Sequence, residues 1–187
     1  MKNSNKTENL KEKLKQALNS TFKVISDDFQ IQNKFDKNNS SNKFEFFELD
    51  NLNTKNDLIK ARADTDSAAL KKKFSNEEIY KKNLPINSSC KSLYSIAEKI
   101  RCETLGGKML KGIKKNFSEN YERIINLKRK DQLKTRDDVS INEAFELYML
   151  KKFHNIKLNS LTSKMLSFWE KDFDKSIEKH IKFLKNN

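Results

Sequence analysis

Very little in this chain can bend sharply or crosslink. Its 187 residues include 3 glycines, 1 proline and 2 cysteines. Loops that cradle phosphates need several glycines, and Gly106-Gly107-Lys108 has neither a preceding strand nor the Walker spacing. Cys90 and Cys102 are too few for a disulfide framework or a four-cysteine zinc site. Cys90 has no evident histidine partner, so it reads as a buried or neutral thiol and not a nucleophile. The two histidines, His154 and His180, lie far from both cysteines, and there is no H-E-x-x-H or G-x-S-x-G. No run reaches the roughly 18 apolar residues of a membrane span. Met1 to Asn9 is polar and lacks the apolar centre of a signal peptide. A reducing, cytoplasmic location is expected.

Charge and phenylalanine are what the chain does have. Charged residues make up 35% and hydrophobic residues 35%, yet 13 phenylalanines leave enough apolar surface for a core. Net charge is +13. Of the 39 basic residues, 34 are lysine and 5 arginine, and there are 22 asparagines. A joint excess of lysine and asparagine fits an A-rich coding sequence, whereas nucleic-acid contacts lean on arginine. The positive charge therefore reads first as solvated surface. Residues 86–138 form the one clearly basic stretch, with 13 basic and 7 acidic side chains. An alternative reading, a basic nucleic-acid-binding module, would use Lys108, Lys111, Lys114, Lys115, Arg123, Lys128, Arg129 and Lys130.

Periodicity predicts a mainly α domain with one small β-hairpin, an α+β class, in a single multi-helix domain over 1–187. Leu10, Leu14, Leu18, Phe22 and Ile25 recur at helical spacing over about 6–26. Alternation around Phe29–Phe35 and Phe44–Phe46 flanks the polar run Asp36 to Asn42, predicting strands at about 29–35 and 43–49. Thr54 with Asp57 opens a helix to about Lys73. Ser75 with Glu78 reads as a capping box for a short helix that ends at Leu84-Pro85. Further helices are expected over about 89–105, stopped by Gly106-Gly107, and over 109–127. The polar stretch Lys128 to Asp138 reads as an exposed loop. Ser140 with Glu143 reads as a capping box before Ile141 to Phe153, and a last helical region covers about 160–185.

Two polar constellations stand out against these helices. Arg62, Asp64 and Asp66 share one helix, with Arg62 and Asp66 at i,i+4; Glu98, Arg101 and Glu103 share another, with Glu98 and Arg101 at i,i+3. They read as a structural polar network, either solvated or interlocked where helices meet. No catalytic, cofactor or metal residue is assigned; Asp138-Val139-Ser140 lacks the apolar strand that a magnesium site would follow. Trp169 and Phe173, on the last helical region, are candidate partner contacts.

The same residues carry a family resemblance. Lys60 to Leu70 (K-A-R-A-D-T-D-S-A-A-L) resembles the R-G-x-A-D-S-x-A-L segment of the aerobic cobaltochelatase subunit family CobT. Ala97 to Gly106 is similar to its V-E-x-x-R-x-E-x-L-G, and Met109 to Phe117 to its M-x-G-x-x-x-N-L. Ala144 to Leu150 and Trp169-Glu170 fall where the family has a leucine-rich helix and a tryptophan. Thr65 and Asp66 depart from the family's A-D-S spacing, and Lys71, Lys72 and Lys73 replace its basic and histidine residues. The family's C-terminal von Willebrand A-type domain, with its magnesium site, is not expected within 1–187. The resemblance implies an accessory role, with no catalytic residues of its own. The implied partners are an AAA+ ATPase subunit (CobS-like) and a large chelatase subunit (CobN-like). Together they would insert Co2+ into the corrin precursor hydrogenobyrinic acid a,c-diamide, with ATP and Mg2+ used by the complex. A co-chaperone role for another metalloenzyme is the alternative within the same class.

Overall fold

A computed structural model of the chain describes residues 2–30, 54–127 and 135–186; for 2–7 and 182–186 it describes the backbone only. The chain divides into two compact units, Met1–Ser75 and Asn76–Asn187. In the first, α1 (Lys2–Ser26) packs on α2 (Lys55–Phe74). Leu14, Leu18 and Ala61 form an apolar cluster between them. Phe22, Ala63, Ala69 and Leu70 are also buried. Helix α1 closes in a left-handed turn: Asp27 has φ 58° and the Asp28 amide donates to the Lys23 carbonyl at 3.2 Å. Lys72 pairs with Asp28 at 3.1 Å. At the start of α2 the Thr54 hydroxyl accepts from the Asp57 amide, and the Asp57 carboxylate accepts from the Thr54 amide.

The second unit is built around α6 (Ile141–Met149), in which Ala144, Phe145, Leu147, Tyr148 and Met149 are all buried while Glu143 faces solvent. It packs against α4 (Ser88–Met109), α7 (Ser160–Ser167) and α8 (Glu170–Asn186). Helix α5 (Lys111–Leu127) packs on α4 and buries Ile113, Phe117, Tyr121 and Ile125, one stripe at helical spacing. Burying each such side chain contributes about 1.5–3 kcal/mol. The short α3 (Glu77–Lys82) buries nothing. The Tyr80 ring sits 5.0 Å from that of Tyr94, and the Tyr80 hydroxyl is 2.7 Å from that of Ser95. Asn159 joins two helices: its amide donates to the Ile125 carbonyl at 3.1 Å, and its side-chain oxygen caps α7 through the Thr162 amide at 2.9 Å.

Several expectations are corrected. The α+β class does not hold: every regular element among the described residues is helical, with no strand. Phe29 and Gln30, expected to begin a strand, lie in a turn. The rest of the expected hairpin, within 31–53, lies outside the described residues. Gly106 and Gly107 do not stop α4, because neither takes positive φ; the break comes at Leu110, extended at φ −132°, ψ 109°. The short helix is capped by Asn76, whose side chain accepts from the Ile79 amide at 3.0 Å, and not by Ser75. Ser140 makes no capping hydrogen bond. Asp138 closes a one-turn 3-10 helix (Arg136–Asp138) by accepting from the Thr135 amide at 2.7 Å. The last helical region splits at Phe168-Trp169, where Glu170 and Asp172 suit the start of a new helix.

Gly107 and Gly112 both sit in helices at ordinary φ. A Cβ on Gly107 would meet Lys114 at 3.5 Å, and one on Gly112 would meet nothing within 4 Å. Gly107→Ala and Gly112→Ala are each expected to stabilise the chain by about 0.4–1 kcal/mol, through a less free unfolded state. Denaturant unfolding at fixed pH checks this, and an unchanged or lowered midpoint contradicts it.

Candidate functional site

Three charged residues near the middle of helix α4, Glu98, Arg101 and Glu103, fall into two different surroundings. Arg101 and Glu98 form a two-pronged pair: Nε donates to Oε2 and Nη2 to Oε1, each at 2.8 Å. These bonds push the guanidinium pKa further up. Glu98 is largely covered, with 13% of its side chain exposed, so this pair is worth more than an open surface bridge. Cys102 is fully buried beside it, its Sγ 3.8 Å from Glu98 Oε1.

Glu103 turns to the interior and is 1% exposed. The Tyr121 hydroxyl of α5 donates to its Oε2 at 2.6 Å. His154 reaches the same oxygen from the far end of α6, where a π-helical turn (Leu150–His154) continues the helix and Asn155 ends it at φ 54°. Its Nε2 lies 3.6 Å from Oε2, beyond a hydrogen bond, and is buried with no hydrogen-bond partner. Burial and the Lys114 and Lys99 charges push the imidazole pKa down to about 4. The ring is neutral at pH 7, packed edge-on to Phe117 at 6.0 Å and tilted to Tyr121 at 5.6 Å. This arrangement joins α4, α5 and the end of α6 through one carboxyl group.

On another side of α4 lies a cavity of about 320 Å³, open to solvent. Tyr94, Ala97 and Leu105 of α4 face Met149 and Phe153 across it, and Glu98, Arg101, Thr104 and Lys108 supply its polar atoms. Among the described residues no group of three or more His, Cys, Asp or Glu is placed to hold a metal ion. No helix of the described residues is long and apolar enough to cross a membrane. This second unit offers a grooved helical surface over a closed polar interior.

The family model of cobalamin biosynthesis protein CobT matches residues 8–187. The chain belongs to the CobT family. Its role therefore lies in cobalamin biosynthesis. No curated protein and no solved structure matches it.

With the CobT membership in hand, the residues singled out from the sequence can be placed. Arg62 is exposed, Asp64 half-buried and Asp66 buried at 3%, all on α2 of the first unit. Thr65 beside them donates to the Ala61 carbonyl at 2.7 Å. In the second unit Glu98 and Arg101 meet, whereas the bond described for Glu103 goes to Tyr121. Phe173 is buried, its ring 5.5 Å from Phe145 and 5.3 Å from Tyr148. Trp169 is half-buried: Arg136 covers its ring at 3.7 Å while donating to Asp172 at 2.7 Å. The Trp169 Nε1 is buried without a hydrogen-bond partner. The Tyr148 hydroxyl donates to Asp174 at 2.7 Å, which pulls the carboxylate pKa down; burial and that bond raise the tyrosine's. The sequence did not point to Tyr121 or His154, which reach Glu103 from 18 and 51 positions away.

Two outcomes follow from the buried carboxyl. Tyr121→Phe keeps the ring and removes the donor, so it should destabilise the chain by about 1–3 kcal/mol; a loss under about 0.5 kcal/mol in denaturant unfolding contradicts this role. For His154 the folded pKa lies below its unfolded value near 6.5. The unfolded chain therefore takes up the proton first, and stability falls as pH drops from about 6.5 to 4. This one group should cost about 3 kcal/mol by pH 4. His154→Phe should remove that share, so the stability difference between wild type and variant should shift across the window. A pH-independent difference contradicts the assignment.

Proposed function

We propose that this chain is an accessory and assembly domain of an ATP-dependent cobaltochelatase. It docks with an AAA+ ATPase subunit and a large chelatase subunit, and the complex inserts Co2+ into a corrin precursor, hydrogenobyrinic acid a,c-diamide. In this reading Co2+ is substrate, ATP and Mg2+ belong to the ATPase, and the chain contributes contact surface. The observation that carries it is the CobT match over residues 8–187. The layout of the second unit supports it. Glu103, Tyr121 and His154 are closed in among helices, where they hold packing, while the open cavity along α4 presents apolar and charged side chains outward. A surface of that kind suits a protein partner.

Size-exclusion chromatography with light scattering tests the reading, with the chain and the AAA+ subunit mixed at physiological salt, with and without ATP. A stoichiometric, ring-sized complex is expected. Separate elution in every nucleotide state contradicts docking on the ATPase.

A further inference from the structure

The polar and apolar residues along the open cavity follow a pattern that the family assignment does not explain. Lys91, one turn before the cavity, and Tyr94, Glu98, Arg101, Leu105 and Lys108, which line it, are spaced 3, 4, 3, 4 and 3 apart on α4. That is the seam spacing of a helix that receives a second helix lengthwise. Lys91 to Lys108 spans about 26 Å at 1.5 Å per residue, matching a partner helix of nearly five turns. The opposite wall, Met149 and Phe153, is a one-turn step on the helix that runs beside α4. The cavity wall beneath the seam is mainly apolar, from Tyr94, Ala97, Leu105, Met149 and Phe153, and the charged pair at the middle of the seam, Glu98 with Arg101, is internally matched. Its ends are not matched. Lys91 and Lys108 are exposed and make no ion pair among the described residues. Beyond Lys108 the bend between α4 and α5 exposes Met109 at 57% and Leu110 at 48%, so the apolar surface extends past the cavity.

We infer that this seam is a docking groove for an amphipathic partner helix, apolar at its centre and carrying carboxylates at both ends. The central apolar residues would fill the cavity against Tyr94, Leu105, Met149 and Phe153. The terminal carboxylates would meet Lys91 and Lys108, which sets direction and register. The inference rests on the accessory reading and gives it a contact surface and a partner chemistry. A bound small molecule is disfavoured, because the seam along α4 continues past the cavity at both ends, to Lys91 on one side and to Met109 and Leu110 on the other.

The test uses the full chain and two synthetic 16-residue helical peptides with the same leucine-rich face, one with glutamates at its ends and one with lysines. Fluorescence anisotropy at physiological salt reads binding. The glutamate peptide should bind at least about tenfold more tightly than the lysine peptide. The double variant Lys91→Glu/Lys108→Glu, on exposed sites that leave the circular dichroism unchanged, should reverse that order. Leu105→Glu should abolish binding of both. Absence of binding by either peptide, or an order unmoved by the double variant, overturns the groove. Occupation by a second copy, seen as a wild-type dimer in light scattering that the double variant dissolves, also overturns it. The same variant in the ATPase mixture separates the two readings. Co-elution that survives it leaves the accessory role standing without this groove. Peptide binding without co-elution keeps the groove and removes the ATPase as its partner.

Discussion

A single carboxyl group removed from water organises the second unit. Glu103 is covered on all sides, accepts the Tyr121 hydroxyl at 2.6 Å and faces the neutral His154 ring. A buried acid left without donors is costly, so α4 and α5 can approach only in the register that brings Tyr121 to it. His154 adds the end of α6 to the same point. Purely apolar contacts among these helices would tolerate sliding by a turn; this contact does not. Direct packing of α6 and its π-helical end on α4 places Met149 and Phe153 opposite the outer face of α4, and so shapes the cavity there.

That arrangement separates two jobs along one helix. The inward side of α4 carries Ile100, Cys102 and Glu103, all buried, and holds the fold together. The outward side carries Tyr94, Glu98, Arg101, Leu105 and Lys108 and lines the solvent-open cavity. The charged residues within 98–103 therefore look alike in sequence, as polar positions on one helix, but differ in what they do. Glu98 and Arg101 neutralise each other at the edge of the cavity, while Glu103 anchors the interior.

Helix identity was legible wherever apolar residues recur at 3.6, because that spacing reflects which face is buried. The Thr54 cap was legible because its partner, Asp57, lies three residues away. Caps elsewhere fall to asparagines at positions 76, 87 and 159, each accepting a backbone amide. Three of the asparagines that composition ascribes to coding bias thus serve as helix caps, and a search for serine–glutamate boxes passes over them. The glycine pair misled because a glycine ends a helix only when it takes positive φ, which local sequence does not determine. The interior contact at Glu103 was half legible. Its place beside Glu98 and Arg101 on a helix with an apolar face marked it, but Tyr121 and His154 come from tertiary packing that no spacing rule encodes. Trp169 and Phe173 illustrate the same limit: an aromatic at helical spacing can be an anchor for a partner or part of the core, and Phe173 is in the core.

Native-state hydrogen exchange tests the organising role of Glu103 most directly. If one buried carboxyl locks the register, the amides of Ile100–Gly106 on α4, Phe117–Tyr121 on α5 and Leu147–Leu150 at the end of α6 open together. They should then share one opening free energy, equal to that of global unfolding, while α3, which buries nothing, exchanges by local opening. Separate opening energies for α4, α5 and α6, with α4 exchanging while the other two stay protected, would contradict the account.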